Sequence, residues 1–266
     1  MSVKQGLRQL VSQRAGHLVP GVFNALSAKV AADLGFAALY ITGAGVTNMQ
    51  LGLPDQGFVG LTDLADQTRR IRDAVDLPLI VDADTGFGNA LNVRHTVRTL
   101  ERAGADCIQI EDQAWPKRCG HFEGKSVISA QEMQGKIKAA CDARSDPDLM
   151  IMARTDAAAV MGFEAALERA QCYIEAGADI LFVEALTQDS QIRQVPQALP
   201  HPHLINLVIG GRTPIEQASS YAQMGYSLVL YANAALQGAV LGMQRALGHL
   251  KQHGQLGEDP NWVISF

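Results

Sequence analysis

Segment 105–125 of the 266-residue chain brings two kinds of reactive side chain close together. It begins with the alternation typical of a short buried strand, and that strand ends in two carboxylates, Glu111 and Asp112. Carboxylates in a buried strand need a partner. The polar stretch that follows contains Cys119, and basic neighbours favour the reactive thiolate of such a cysteine. These neighbours are Lys117, Arg118 and His121. The pattern predicts a metal site beside a loop that carries a thiol.

A second acidic pair lies in VDADTGFG at 81–88. Asp82 and Asp84 are two residues apart, and on a strand such residues point to the same side. Together with Glu111 from the next strand end, they form one face of the predicted metal site. Oxygen ligands without clustered histidines favour Mg²⁺, or Mn²⁺, over zinc. An acidic turn before glycine is common by itself, so the prediction depends on the position of this pair beside Glu111.

Apolar strands alternate with amphipathic helical segments along the whole chain. The predicted strands are 18–23, 37–43, 77–84, 105–112, 149–156, 178–185, 203–209 and 226–233. Four helical segments end in a glycine directly before a strand, which is a common helix stop signal. Eight such units predict one (β/α)8 barrel domain over 1–266, closed at one end by an N-terminal helix. A doubly wound open sheet is the main rival, but no GxGxxG follows an early strand.

Composition excludes several classes of protein. The formal charge of −5, with both signs interspersed, provides no basic stripe for nucleic acid. No apolar run is long enough to span a membrane, and the N-terminus does not resemble a signal peptide, so we expect a cytoplasmic protein. Four cysteines without a CxxC motif are expected to be reduced thiols, and Cys107, Cys141 and Cys172 are expected to have packing roles.

Polar residues recur where the predicted strands end, which is where active sites lie in this fold. Besides the three acids they include Thr42, Asp112, Arg154, Asp156, Glu184, Asn206 and Asn233. Each of them alone could instead cap the following helix. Capping does not explain acids within the last residues of at least three strands, so the set as a whole predicts an active site.

Taken together, the motifs resemble the isocitrate lyase and phosphoenolpyruvate mutase superfamily. They are ITGAG (41–45), GLPDQG (52–57), VDADTGFG (81–88), IEDQAWPKRCGH (110–121), ARTDA (153–157) and FVEA (182–185). KRCGH resembles the carbon–carbon lyase branch, which includes 2-methylisocitrate and 2,3-dimethylmalate lyases. The resemblance implies a Mg²⁺-dependent barrel, a lid carrying the cysteine motif, and a homotetramer in which the last helix is swapped onto a neighbour. The chain departs from the common pattern at Asn24, Ile209 and Ala232.

The resemblance also implies roles for individual residues. Asp82, Asp84 and Glu111 would hold Mg²⁺, some of them through water. Cys119 would be the general acid, with Arg154, Glu184 and Asp55 as further catalytic residues. Substrate would be bound by Tyr40, Thr42, Gly43, Ala44, Lys117, Gly120, His121 and Asn206.

The predicted reaction splits a 2-hydroxy dicarboxylate into a 2-oxo acid and a carboxylate. The resemblance implies a small di- or tricarboxylate as the substrate. Apolar residues at 207–209 and 234–236 favour 2- or 3-alkylmalates over substrates with a third carboxylate. A hydrolase or decarboxylase acting on oxaloacetate is the alternative enzyme. A catalytically silent barrel that only binds a small acid is a third hypothesis, which the acids, Arg154 and Cys119 disfavour.

Overall fold

Eight parallel strands close into a barrel in chain order, with the first strand paired to the last. The computed structural model describes residues 2–118 and 124–264. The strands are β1 His17–Val22, β2 Leu39–Ile41, β3 Leu79–Asp82, β4 Cys107–Glu111, β5 Met150–Thr155, β6 Ile180–Val183, β7 His203–Asn206 and β8 Leu228–Tyr231. All eight lie where the sequence predicted them, and the (β/α)8 barrel is confirmed.

Helices surround the barrel. They are α1 Val3–Ser12, α2 Ala25–Asp33, α3 Gly43–Leu51, α4 Leu61–Arg72, α5 Ala90–Ala103, α6 Ala130–Ala143, α7 Ala157–Met161, α8 Phe163–Glu175, α9 Asp189–Ala198, α10 Ala218–Met224 and α11 Ala234–His253. Two loops at the carboxyl ends of the strands matter for the site. Residues 52–60 join α3 to α4 and contain Asp55, and residues 112–129 join β4 to α6.

The predicted stop signals set the helix ends. Gly104 and Gly177 have φ of +103° and +105°, a conformation that costs glycine little and other residues much. At the opposite helix ends, Asn89 and Ser129 accept hydrogen bonds from first-turn amides of α5 and α6. Glycine stops and capping residues therefore fix where these helices begin and end.

Two clusters of apolar side chains form the core. One lies between the strands and the surrounding helices, and the other fills the barrel interior. Leu7 and Val11 of α1 belong to the interior cluster together with Met152 and Leu228. Helix α1 therefore closes one end of the barrel, as predicted. The opposite end, where the strands have their carboxyl ends, is not covered by α1.

Helix α11 packs little against its own chain. None of its described residues is buried, and several large apolar side chains are exposed along it: Val240, Leu241, Met243, Leu247 and Leu250. An apolar helix face of this length usually has a partner.

No helix in the described part of the chain is long and apolar enough to cross a membrane.

Candidate active site

Those of the predicted site residues that the structure describes converge at the carboxyl ends of the strands. A small cavity at the barrel mouth is lined by Tyr40, Thr42, Ala44, Asp55, Asp82, Arg154, Phe182, Glu184, Asn206, Val208, Leu230, Ala232 and Asn233. The acids and Arg154 are largely buried, with Glu111 and Glu184 each only 1% exposed. Charged groups that are buried this deeply must neutralise one another or bind a charged ligand.

Asp82 and Asp84 converge, but not by strand alternation. Asp82 is the last residue of β3, and Asp84 lies beyond it in a turn with φ of +48°, which is unusual for a residue other than glycine. The Asp84 carbonyl accepts a hydrogen bond from the amide of Glu111 at 2.8 Å, which ties the turn to β4. Gly43 N lies 3.3 Å from Asp82 Oδ2. A Cβ on Gly43 would lie 3.4 Å from Asp82 Oδ2 and 3.5 Å from Asp84 Oδ1, so both carboxylates face the space beside this glycine.

Gln109 fixes Asp82 from inside the barrel. It is fully buried in β4, and its Nε2 donates to Asp82 Oδ1 at 3.0 Å. The Tyr40 hydroxyl donates to Gln109 Oε1, so the amide of Gln109 links Tyr40 in the cavity wall to the Asp82 carboxylate. Burial raises the pKa of Tyr40 well above its ordinary value, and the nearby Asp82 carboxylate raises it further. Gln109 was not predicted, although a polar side chain at an inward position of CIQIE was a visible signal.

Arg154 belongs to a chain of buried charges, here called the buried ion chain. Its members in order are Glu111, Arg154, Asp156 and Lys125. Arg154 Nη1 lies 3.2 Å from Glu111 Oε2, and its Nε and Nη2 donate to the two oxygens of Asp156 at 2.9 and 3.1 Å. Lys125 Nζ donates to Asp156 Oδ1 at 2.7 Å. The arrangement orients the guanidinium from one side, and its Cζ lies 5.2 Å from the centre of the Phe182 ring.

The buried ion chain shifts the pKa values of its members. Burial raises the pKa of Glu111 well above its usual range, while Arg154 opposes the shift. Burial also favours the neutral form of Asp156, but Arg154 and Lys125 outweigh it and lower the pKa of that carboxyl. Asp156 therefore stays ionised and holds Arg154 in place. Neither Asp156 nor Lys125 was predicted to have this role.

Asp112, the neighbour of Glu111, points away from the site. Its carboxylate accepts hydrogen bonds from Thr155 Oγ1 at 2.7 Å, Asp156 N at 2.9 Å and the Tyr173 hydroxyl at 2.7 Å, and it pairs with Arg169 at 3.2 Å. Asp112 therefore has the partners that a buried carboxylate needs, one cation and several hydrogen-bond donors. Its role is structural.

Lys117 connects the two loops at the mouth. Its ammonium lies 2.5 Å from Asp55 Oδ1 and 2.7 Å from Asp84 Oδ1, and its side chain is 3% exposed. Burial by itself would lower the pKa of Lys117, but Asp84 and Asp55 overcome that effect and raise it well above its ordinary value. Burial raises the pKa of Asp84 to about 7, although Lys117 opposes the shift. Asp55 and Lys117 therefore lie at the site, as predicted.

The acidic side chains suit a hydrated divalent ion. Among the described residues, several buried oxygens at the mouth accept no hydrogen bond: Glu111 Oε1, Asn206 Oδ1 and Asn233 Oδ1. Within 2–118 and 124–264, no three carboxylate, histidine or cysteine side chains are close enough to hold one ion together. Mg²⁺ commonly takes one or two carboxylates and keeps several waters. The residues present fit an ion held directly by one or two of Asp82, Asp84 and Glu111 and through water by the rest.

The predicted carboxylate-binding turn makes internal contacts. Thr42 caps the N-terminus of α3, and its Oγ1 lies 3.4 Å from the amide of Gly45. Thr42 and Ala44 nevertheless line the cavity, and Gly43 lies beside it, so the turn that was predicted to bind substrate is in place.

Three of the predicted residues, Cys119, Gly120 and His121, lie outside the described residues. The segments on either side of them are anchored. Gln113 and Val127 form an antiparallel bridge, and the Gln113 amide exchanges two hydrogen bonds with the backbone of Arg118 at 2.8 and 3.0 Å.

Most of the apolar residues expected around the substrate lie elsewhere. Of 207–209, only Val208 lines the cavity, because Leu207 packs in the outer core and Ile209 is 50% exposed. Residues 234–236 form the first turn of α11, whose side chains face outward from the barrel mouth. That part of the prediction was wrong. The apolar wall consists of Val208 from the predicted set together with Phe182, Leu230 and Ala232.

The chain is similar to known proteins over most of its length. Residues 7–251 match the family model described as phosphoenolpyruvate phosphomutase. The chain is 44% identical over 243 residues to 2,3-dimethylmalate lyase of Eubacterium barkeri, covering 91% of this chain and 84% of that protein. It is 45% identical over 248 residues to 2-methylisocitrate lyase of Aeropyrum pernix, covering 93% and 80%.

Solved structures of related enzymes have the same fold. A crystal structure of 2,3-dimethylmalate lyase, described as a PEP mutase/isocitrate lyase superfamily member, superposes with a TM-score of 0.93 at 35% identity, covering 99% of this chain and 89% of that one. Oxaloacetate acetylhydrolase bound to 3,3-difluorooxalacetate superposes with a TM-score of 0.92 at 34% identity, covering 98% and 90%. The curated relatives above are named lyases, which confirms the prediction of a lyase. The chain therefore belongs to the phosphoenolpyruvate phosphomutase family, within the PEP mutase/isocitrate lyase superfamily that its motifs resemble.

Proposed function

We propose that this protein is a magnesium-dependent carbon–carbon lyase that cleaves a 2-hydroxy dicarboxylate into a 2-oxo acid and a carboxylate. The substrate is of the 2- or 3-alkylmalate or 2-methylisocitrate type. The observation that carries the proposal is the convergence of Asp82, Asp84, Glu111 and Arg154 at one mouth of the barrel, beside a cavity with both polar and apolar walls. The names of the relatives support the same class of reaction.

The acids and Arg154 bind different parts of the substrate in this proposal. Mg²⁺ at Asp82, Asp84 and Glu111 would act as a Lewis acid toward the 2-hydroxyl and the adjoining carboxylate. Arg154, oriented by Asp156, binds a carboxylate through its planar fork. The amide oxygen of Asn206 faces the same space and orders water or a substrate hydroxyl.

The bond changes in the reaction balance without an external oxidant or reductant. Loss of the 2-hydroxyl proton to a base turns C2 into the carbonyl carbon of the 2-oxo acid as the C2–C3 bond breaks. The electron pair of that bond remains on C3, where the departing carboxylate stabilises it as an enolate. A proton delivered to C3 completes the reaction, and the Cys119 thiol is the proposed donor. That role depends on the KRCGH motif.

The cavity wall favours a methyl group over a third carboxylate. Val208, Leu230 and Ala232 offer apolar surface, and burying one methyl group there gains about 0.8 kcal/mol. A buried carboxylate without partners would cost several kcal/mol. We therefore rank alkylmalates above 2-methylisocitrate as substrates.

A panel of purified substrates tests the proposal. The enzyme with Mg²⁺ is offered malate, citramalate, 2,3-dimethylmalate, 2-methylisocitrate, isocitrate and oxaloacetate, and the 2-oxo acid product is identified and kcat/KM measured. We expect cleavage of at least one alkylmalate, loss of turnover after chelation, and recovery with Mg²⁺ or Mn²⁺ better than with Zn²⁺. Turnover of oxaloacetate alone would contradict the lyase proposal.

Oxaloacetate hydrolysis or decarboxylation is the second candidate. The similarity to oxaloacetate acetylhydrolase, with a TM-score of 0.92, is the observation that favours it. The two activities are distinguished by their products, because the hydrolase forms oxalate and acetate from oxaloacetate.

We also propose a homotetramer in which α11 packs on a neighbouring subunit. The support is the exposed apolar face of α11 together with open apolar grooves on the same chain, one lined by Leu18, Phe36 and Ile215 and another by Phe23, Leu26 and Met49. A cytoplasmic location is proposed with it.

A further inference from the structure

A second cavity, here called the outer cavity, lies beside the active site. It has a volume of about 560 Å³ and lies between the loop before α4, the turn after β3, the β4–α6 loop and helix α6. Side chains in its wall include Phe58, Phe87, Gln113, Trp115, Ile128 and Lys136. None of the residues that line it also lines the active-site cavity, whose volume is about 40 Å³. The outer cavity has the size and the mostly apolar wall of a small-molecule site.

Lys136 gives the outer cavity one buried positive charge. The residue is 4% exposed, and its ammonium donates to the carbonyl of Thr85 at 3.2 Å. Within the described residues it forms no ion pair, and the only carboxylate that shifts its pKa is that of Glu132, an exposed residue that also lines the cavity. An ammonium has three donors, and burying it is costly unless an anion or further hydrogen bonds compensate. Within 2–118 and 124–264 this charge therefore has no ion-pair partner, and the cavity beside it is large enough to admit an anion.

The rest of the wall defines the body of the ligand. Phe58, Phe87 and Trp115 present aromatic surface, and Ile128 adds an aliphatic side chain. Gly57 has φ of +76°, and a Cβ on it would lie 2.6 Å from the Trp115 ring, so the ring is held closely against the loop before α4. A flat or branched apolar group matches such a wall, and a highly charged molecule such as a tricarboxylate does not.

We propose that the outer cavity binds a small monocarboxylate with an apolar or aromatic body, its carboxylate on Lys136 and its body against Phe58, Phe87 and Trp115. The site is separate from the reaction centre and does not depend on the proposed lyase activity. Its ligand contacts both the 52–60 loop and the β4–α6 loop, which the Lys117–Asp55 ion pair joins.

Tryptophan fluorescence gives a direct measure of binding. The chain contains two tryptophans, Trp115 in the cavity wall and Trp262, which stacks on His249 with 4.8 Å between ring centres. In full-length protein carrying Trp262→Phe, the signal comes from Trp115. The probe is 3-phenylpropionate, and its neutral analogue 3-phenylpropanamide controls for the carboxylate.

We expect a saturable change with the acid and affinity at least about tenfold weaker for the amide, as expected for loss of one charge-assisted hydrogen bond. Lys136→Met should weaken binding of the acid by about tenfold and bring the two probes to similar affinity. Lys138→Met, which removes an exposed lysine of the same helix, should leave both affinities unchanged.

Several results would overturn the proposal. They are equal affinity for acid and amide in the Trp262→Phe protein, no saturable change with either probe, or unchanged binding of the acid by Lys136→Met. Loss of binding in Arg154→Met but not in Lys136→Met would place the probe in the active site and would equally reject the outer cavity. The comparison of acid with amide needs no Lys136 variant, so it remains decisive if Lys136→Met does not fold.

Discussion

Replacing Asp156 by asparagine tests whether the buried ion chain positions Arg154. The carboxylate of Asp156 is fully buried and contacts two cations, Arg154 through two hydrogen bonds at 2.9 and 3.1 Å and Lys125 at 2.7 Å. Asparagine keeps the shape of the side chain but removes its charge. In the variant, Arg154 and Lys125 stay buried, and Glu111 is the one carboxylate left in the buried ion chain to balance them.

The expected loss follows from this geometry. Removing one partner of a buried ion pair costs about 3–5 kcal/mol, because the other charge stays buried without compensation. We therefore expect the free energy of unfolding to fall by that amount. The guanidinium also loses part of its orientation, so kcat/KM should fall by about tenfold to a hundredfold, corresponding to one charge-assisted hydrogen bond.

Denaturation by urea and steady-state kinetics on the best substrate measure the two effects. Asp189→Asn is the matched control, because Asp189 forms the same kind of contact with Arg193 at 2.7 Å while both side chains are 52% exposed. An exposed pair of this kind contributes about 0.3–0.5 kcal/mol. If Asp156→Asn destabilises no more than Asp189→Asn, or leaves kcat/KM unchanged, the positioning role of the buried ion chain is wrong.

Further predictions concern acid stability, assembly and metal binding. Burial lowers the pKa of His203 to about 4 from 6.5, so the unfolded chain binds the extra proton first as pH falls. The free energy of unfolding should therefore drop by up to about 3 kcal/mol between roughly pH 6.5 and 4. Urea titrations of His203→Gln should show a shallower loss over this window, and an equal loss would reject that cause. Leu247→Lys combined with Leu250→Lys on α11 should lower the mass measured by light scattering, whereas an unchanged oligomer would exclude packing through this face. Gln109→Leu should weaken Mg²⁺ binding by about tenfold to a hundredfold in calorimetry, since Gln109 orients Asp82, and unchanged affinity would contradict that role.

The barrel could be predicted because its signals are local. Apolar strands, glycine stops and capping residues repeat along the chain. Each strand or helix can therefore be identified from its own residues, without knowledge of distant ones. Gly104 and Gly177 adopt the left-handed conformation that their position before a strand predicts. The polar strand ends then follow from the fold, because all parallel strands end at the same mouth.

The finer arrangement of the site depends on contacts between distant residues. Asp84 faces the site because of a turn with positive φ rather than strand alternation. From the sequence alone, Asp156 is interpreted as a helix-capping residue. Its contact with Lys125, 31 positions away in the sequence, arises only from the fold. The apolar residues at 234–236 were misplaced because their apolar character does not reveal that they form the first turn of α11, which packs on the outer core and not on the cavity.

The central claim, cleavage of a C2–C3 bond followed by protonation of C3, is tested most directly by product analysis in D₂O. The enzyme with Mg²⁺ is incubated with 2,3-dimethylmalate, and the products are identified by NMR and mass spectrometry. Our proposal predicts pyruvate and propionate in equal amounts, with one deuterium at C2 of the propionate, and a rate reduced by about a hundredfold or more in Cys119→Ser. No 2-oxo acid from 2,3-dimethylmalate or from any other 2-hydroxy acid of the panel, together with conversion of oxaloacetate to oxalate and acetate, would contradict it.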